Sequence, residues 1–570
     1  MNWLALYVIS LLTMHSAVAQ NEPLPDFPKN DFRSPLDGQL LLTGNFGETR
    51  KSHFHSGIDI KTKEKEGLPI FAVADGYVSR INDSPFGYGN ALYITHPNGY
   101  VSVYAHLRSF NTAVTQVLRK EQYASKSFSQ NIILPPNYIP VKQGDIIALS
   151  GNSGGSAGPH LHFEIRDSLE RIINPLHFGF EVKDSIPPQV NAIEFFPLGS
   201  DLLTKNKKRI TLKQNNEVYS IPAQKINSKQ IGIAVNAFDK MTGTNNTYGI
   251  YAIEATDNGN PFFTYKADRF SFSNTRQIIS HLDYETFLSE NHRAFHKCFI
   301  EPHNTLEQYT DVVNSGIIDL SDNAKHNIQL LIRDFAGNTT TVRMEIQHSD
   351  SSRFFTENKT PYTLLLHKDS LNTYKNENLS LSIPANALVN STRLHITSKK
   401  DTSSAIYSPV FTLNKNTEHL LNYYTIALKT NVPPHLREKA ILVWRSEKKE
   451  ETSKGGTFEN GFIQAKVREF GTFYIKIDTT SPTIKPLSFN PERPIGTQQK
   501  WTFIIKDNFG KPEKYNAFLD DEWVLAEFDA KSGQLTIPNE KKLSPGKHRL
   551  RIELEDERRN KAIYSTTFIY

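Results

Sequence analysis

With 570 residues and a net charge of +5 (65 Lys and Arg against 60 Asp and Glu), the chain has room for roughly four domains and carries no polybasic block. That near-balance argues against a nucleic-acid partner and leaves only a weak preference for anionic polymers. The single cysteine, Cys298, excludes an internal disulfide and a cysteine-built zinc site, and reads as a small buried hydrophobe.

Met1 to Met14 is an apolar run too short to span a bilayer comfortably, and the small-x-small sequence Ala17-Val18-Ala19 follows it. This predicts a cleaved signal sequence over 1–19, although no Lys or Arg precedes Lys29; an uncleaved anchor is the lesser reading. No lipobox cysteine follows, and no later run reads as a membrane helix. The mature chain is then expected to begin near Gln20 and to work outside the cytoplasm, in the periplasm or beyond it.

Residues 20–50 are polar and proline-bearing. From 53 to about 110, short strands and turns alternate. The run from Pro69 to Ala74 meets Asp75-Gly76 and a second strand from Tyr77, a hairpin signal. Ala91–Thr95 and Tyr100–His106 flank Pro97-Asn98-Gly99 as a second hairpin. Residues 111–139 break the rhythm as an insertion, with a short helix expected over 113–124. Strand character returns at Val141, ahead of a glycine-rich loop from Gly151 to Gly158.

Beyond 180 the punctuation repeats. Asp184-Ser185-Ile186-Pro187 and Asp478-Thr479-Thr480-Ser481-Pro482 open segments of alternating strands. Asp334-x-x-x-Asn338 and Asp556-x-x-x-Asn560 precede the last strand of each. This predicts two related β-sandwiches, over 184–350 and 478–570, resembling bacterial immunoglobulin-like domains at the level of fold. The block 351–477 reads as a further β-rich domain with no assignable chemistry. The expected fold class is mostly β: a small antiparallel β domain over 20–183, then β-sandwich domains.

Three stretches carry chemistry. His160-Leu161-His162 places two histidines on one face of a strand. The glycines before it leave little side-chain bulk between them and an extended substrate. In His55-Ser56-Gly57-Ile58-Asp59, Gly57 eases a curl that lets His55 and Asp59 share one divalent ion. Catalytic zinc takes three nitrogen or oxygen ligands and keeps a position for water; His55, Asp59 and His162 would supply that set. Tyr104-Ala105-His106 ends a strand on which Ser102, Tyr104 and His106 share a polar face. Glu164 lies on the face of the two histidines and reads first as a structural carboxylate, with support of a metal-binding histidine as the lesser reading. His53 and His96 read as bystanders.

In this order, and together with Phe46-Gly47…Arg50, Pro69–Gly76, Gly144-Asp145 and Gly158-Pro159-His160-Leu161-His162-Phe163-Glu164, these stretches resemble the lysostaphin/LytM-type zinc metallopeptidases over about residues 40–180. The resemblance implies one Zn²⁺ per chain on His55, Asp59 and His162. It implies His106 and His160 as catalytic histidines beside the metal-bound water, their division of labour left open. It also implies peptide bonds of bacterial peptidoglycan as the substrate. The departure from the pattern is the insertion at 111–139, which either walls the substrate groove or decorates one edge. Two other classes of function compete: a non-catalytic regulator of other wall hydrolases, known by missing ligands, and an adhesin or glycan-binding array of β domains.

Overall fold

The computed structural model describes residues 24–199, 206–213, 218–356, 361–400, 405–415, 417–490, 500–540 and 543–570. The signal sequence expected over 1–19 lies outside the described residues. The chain is mostly β, in antiparallel sheets with few short helices. Among the described residues no helix is long and apolar enough to cross a membrane.

The N-terminal sheet holds β1 (Leu42–Gly44), β2 (Ile58–Lys61), β3 (Gly76–Asp83), β4 (Asn90–Thr95) and β5 (Val101–Leu107). A helix, α1 (Thr112–Ser125), and two further strands, β6 (Gln130–Ile133) and β7 (His160–Arg166), complete the unit. The strand order is β1-β2-β7-β5-β4-β3-β6. Strand β7 is central and shows why its sequence alternates. Leu161, Phe163 and Ile165 enter the main core fully buried, each contributing about 1.5–3 kcal/mol. His160, His162, Glu164 and Arg166 take the opposite face.

The hairpin expected at Asp75-Gly76 does not form. Pro69–Phe71 pairs instead with Ile146–Leu149 in a separate three-stranded sheet. The Asp75 carboxylate accepts the Gln143 N–H and the Lys142 ammonium, both at 2.8 Å. The turn is thereby tied to residues 142–143 and makes a corner between sheets. The second expected hairpin is present as β4 and β5.

The expected helix in the insertion is α1. Asn111 caps it, its Oδ1 accepting the Val114 N–H at 3.1 Å. Its outer face receives the last domain of the chain. Arg119 meets Glu527 and Glu540, each at 2.9 Å. Tyr123 donates its hydroxyl to Glu540 at 3.0 Å and packs edge-on to Trp523. The insertion is therefore a docking element. Between it and the last domain lies a cavity of about 350 Å³, lined among others by Arg108, Ser153, Gly154, Lys500 and Glu527.

The segment after 183 is not separated from the first unit by a break in the core. One apolar cluster runs through both, with Phe46 and Phe54 against Phe270, and Ile172–Ile173 pairs with Arg269–Phe270. This segment also contains two short helices, Ile278–His281 and Tyr284–Ser289, where only strands were expected. Residues 366–475 and 489–568 hold separate apolar clusters. In the latter, two four-stranded sheets face each other across Trp501, Phe503, Leu550 and Phe568. Cys298 is buried as expected, which pushes its thiol up to about 12.

Candidate metal centre

His162 on β7 lies directly opposite Asp59 on β2 and Ala105 on β5. Opposed residues of antiparallel strands project to the same face, so His162 and Asp59 meet there. His55 comes from the loop before β2. A Cβ at Gly57 would lie 2.3 Å from the Phe163 carbonyl oxygen, so only glycine lets this loop rest on β7. His162 Nδ1 is 2.9 Å from Asp59 Oδ1, His55 Nε2 is 3.0 Å from the same oxygen, and the two nitrogens are 3.1 Å apart. All three residues are buried.

The remaining ring nitrogens fix what these atoms present. His55 Nδ1 donates to the Asn45 carbonyl at 2.7 Å. His162 Nε2 donates to Glu164 Oε1 at 2.9 Å. Both acceptors lack a proton to give. In neutral rings, therefore, His55 Nε2 and His162 Nδ1 each turn a lone pair toward a carboxylate. Three lone-pair atoms about 3 Å apart repel unless a cation sits among them. The donor set, two imidazole nitrogens and one carboxylate oxygen, suits Zn²⁺. Burial would lower the His162 pKa, but hydrogen bonds to Asp59 and Glu164 outweigh it and raise it to about 9. A proton on this ring is the cation-free substitute for a metal. Asp59 is held well below the usual range because its histidine partners overcome its burial. Arg50 also contacts its other oxygen, Oδ2, at 3.3 Å.

His160 and His106 stand beside this group. His160 Nδ1 donates to the Gly158 carbonyl at 2.8 Å, and its Nε2 is 3.4 Å from Asp59 Oδ1. The His106 ring centre is 4.9 Å from that of His160 and 5.8 Å from that of His162. His106 Nδ1 donates to the Ser153 carbonyl at 2.9 Å, which leaves Nε2 as an acceptor. Burial, then the neighbouring histidines, push His106 down to about 3, so it is neutral at neutral pH.

The polar face expected for Ser102, Tyr104 and His106 is not shared. Ser102 and Tyr104 are fully buried. The register between β4 and β5 slips between Asn90 and Leu92, so Ala105 and His106 together oppose Ala91. His106 itself has a φ of 58°. This bulge turns its ring from the core side to the side of His160 and His162.

Glu164 does more than the structural reading assigned to it. It is fully buried, orients His162, accepts the Tyr88 hydroxyl at 2.5 Å, and takes two Arg166 nitrogens at 2.8 and 2.7 Å. Its acidity is strengthened by Arg166 and His162 against its burial. Tyr88, Arg166, Asn45 and Ser153 were missed from sequence. Glu164 and Arg166 follow the alternation of His160 and His162, and that was the available signal.

The glycine-rich loop also makes a close backbone contact that the sequence did not reveal. A Cβ on Gly154 would lie 2.3 Å from the Gly89 nitrogen. Gly154 thus lets two backbones touch, and Gly155 N donates to the Gly87 carbonyl at 2.7 Å. That packing carries Ser153 to His106. His96 is a bystander as expected, its two nitrogens taken by the Asp75 carbonyl and Ser102, each at 2.8 Å. His53 is exposed and outside the cluster.

Residues 53–132 match the family model described as peptidase family M23, and residues 363–478 match that of a Zu5-like domain. The first match contains His55, Asp59 and His106 and ends before His160 and His162, which the strand pairing brings in. An uncharacterized metalloprotease of Haemophilus influenzae is 31% identical over 150 residues, 25% of this chain and 26% of that protein. The DD-carboxypeptidase/endopeptidase Mpg of Neisseria meningitidis is 34% identical over 112 residues, 20% of each. The murein hydrolase activator NlpD of Escherichia coli is 32% identical over 151 residues, 26% of this chain and 32% of that protein. The chain thus spans between a fifth and a third of the length of these relatives. Among solved structures, the catalytic domain of the prophage-encoded protein EnpA from Enterococcus faecalis is 25% identical, covering 27% of this chain and 98% of that one, with a TM-score of 0.19. By the matched model, these relatives and the site, the N-terminal part of this chain is a domain of peptidase family M23.

Proposed function

We propose that the chain is an exported zinc endopeptidase that hydrolyses peptide bonds of bacterial peptidoglycan. The observation that carries this reading is the convergence of His55 Nε2, Asp59 Oδ1 and His162 Nδ1, with His106 and His160 beside them. His55, Asp59 and His162 would hold the ion. Bound zinc lowers the pKa of its water from about 15.7 toward 7 and polarises a carbonyl.

The chain's own groups do the rest. His106, neutral and with Nε2 as its acceptor, takes a proton from the attacking water. The proton that His106 takes passes to the leaving amine. His160, its Nδ1–H held by Gly158, presents Nε2 to the same volume, where a second proton on that nitrogen would let it donate to the developing oxyanion. Glu164 holds the His162 ring in the tautomer that binds metal.

A peptidoglycan substrate is supported by relatives whose names include Mpg and NlpD. NlpD is named an activator. The complete set of five side chains here favours catalysis over activation. The test is incubation of purified sacculi with the full chain and mass spectrometry of what is released. Fragments bearing newly cleaved peptide termini are expected from the wild type and absent with His160→Ala. Release of no peptide fragments by zinc-loaded wild type would refute the enzymatic reading.

A further inference from the structure

A second acidic cluster lies where the first β-sandwich begins. Asp184 is in the linker, Asp239 follows the strand Gln230–Phe238, and Asp334 follows the strand Lys325–Arg333. One carboxylate oxygen from each lies within 4.8 Å of the others. Asp184 Oδ1 accepts the N–H groups of Ile186 and Thr242, each at 3.1 Å. Asp334 Oδ1 accepts from Gly337 and Asn338 N–H, and its Oδ2 from the Asn338 side chain at 2.7 Å. Asp239 is different. It is 1% exposed, and its Oδ1 has no hydrogen-bond partner among the described residues. Leaving a buried carboxylate oxygen unmatched beside two other carboxylates is costly.

The last domain repeats the frame with Asp507 in the place of Asp239; its Oδ1 is also unpartnered among the described residues, but Asp507 is only half-buried. Asp556 accepts N–H groups from Arg558 and Asn560, and the Asn560 side chain bridges Asp556 and the Asp478 carbonyl. There the Asn508 amide reaches Asp478 Oδ1 at 2.9 Å, as Ile186 and Thr242 reach Asp184 in the first frame.

We propose that Asp184, Asp239 and Asp334 bind a calcium ion at the junction between the peptidase domain and the first β-sandwich. The donors are all carboxylate oxygens, which select a hard divalent cation over zinc or copper. Three anionic ligands from three separated segments suit the larger and more adaptable Ca²⁺. Burial and the two neighbouring carboxylates raise Asp239 to about 8, as expected of a site short of positive charge. The ion fastens a loop that serves the zinc site. Asp239 exchanges backbone hydrogen bonds with Tyr248, whose hydroxyl donates to the Leu42 carbonyl at 2.8 Å. The next residue, Gly249, is clasped by the Asn45 side chain at 2.7 and 3.0 Å. Asn45 is also the residue whose carbonyl orients His55.

The test uses the full chain, zinc-loaded and freed of calcium, titrated with CaCl₂ in a calorimeter and melted with and without it. Wild type is expected to take up a calcium ion that Asp239→Asn does not, and to gain several degrees in Tm that the variant lacks. In chelator at neutral pH the variant should melt close to wild type, because Asp239 without the ion holds its proton and is uncharged, as Asn is. Asp184→Asn keeps the acceptor used by Ile186 and Thr242 and should show the same loss. Calcium up to about 10 mM, beyond the weakest extracellular sites, leaving wild-type heat and Tm unchanged would overturn the proposal. Retention of the ion by both variants, or a shift with Mg²⁺ alone, would overturn it as well.

Discussion

His162 faces Asp59 across one register position of the sheet, Nδ1 to Oδ1 at 2.9 Å, and Glu164 takes the proton on the far side of the same ring at 2.9 Å. Two candidate metal-holding side chains and the carboxylate that orients one of them are therefore set by two adjacent strands. The site's precision comes from strand pairing, with His55 and His106 added from a loop and a bulge.

Replacing Glu164 by Gln should weaken zinc binding about 10- to 100-fold, the usual cost of losing an orienting partner. A competition titration against a chromophoric chelator measures it. Tm should fall too, because Arg166 is buried and keeps only the exposed Glu170 as a carboxylate partner. Unchanged zinc affinity would remove Glu164 from the metal site.

The left-handed backbone of His106 separates its two roles. His106→Ala and His106→Gly should both retain zinc and both lose hydrolysis of sacculi. The glycine variant should be the more stable in urea by about 1 kcal/mol, since a Cβ is disfavoured at positive φ. Equal stability would mean that the bulge relaxes when the imidazole is gone.

What was legible in the sequence and what was not divides along this line. That His55, Asp59, His160 and His162 come together was legible because strand alternation and a four-residue curl act over short distances. His106 was found as a residue but put on the wrong face. A one-residue slip in pairing is invisible until the partner strand is known. Glu164 sat on the right face, but its bond to His162 becomes meaningful only once the opposite nitrogen is seen to point at Asp59. The Asp75-Gly76 turn looked like a hairpin because its competitor, the bond to Gln143, is 68 residues away. The role of α1 was out of reach for the same reason, as Glu527 lies 408 residues after Arg119. The Asp-x-x-x-Asn repeat was read as punctuation. The structure shows it as a hydrogen-bonded frame in both domains.

The junction carboxylates give stability a pH dependence with a definite sign. Asp239 holds its proton in the folded chain up to about pH 8, whereas the unfolded carboxyl loses it near 3.8. The native state binds the extra proton between these values, so its stability falls as pH rises through that window. Asp334, also raised by burial and by Asp184, acts in the same direction. In cation-free buffer, melting from pH 5 to 8 should show a steeper decline for wild type than for Asp239→Asn. Identical slopes would show that Asp239 is ionised throughout.

The contact between α1 and the last domain is ionic and partly exposed. Each pair there contributes about 0–1 kcal/mol, so a charge reversal should release it without unfolding either part. Arg119→Glu sets like charges against Glu527 and Glu540. Small-angle scattering should report a larger radius of gyration than wild type, with wild type expanding as salt is raised. A variant as compact as wild type would show that the apolar contact of Tyr123 with Trp523 suffices.

On the proposed reading, one ion held by His55, Asp59 and His162 makes this chain a hydrolase. Zinc content and hydrolysis of sacculi, measured on the same preparations of wild type, His106→Ala and His162→Ala, test it most directly. We predict about one zinc per chain in wild type and His106→Ala, little in His162→Ala, and hydrolysis by the wild type alone, abolished by chelator and restored by zinc. Hydrolysis that survives complete removal of the metal, or full zinc occupancy in His162→Ala, would contradict it.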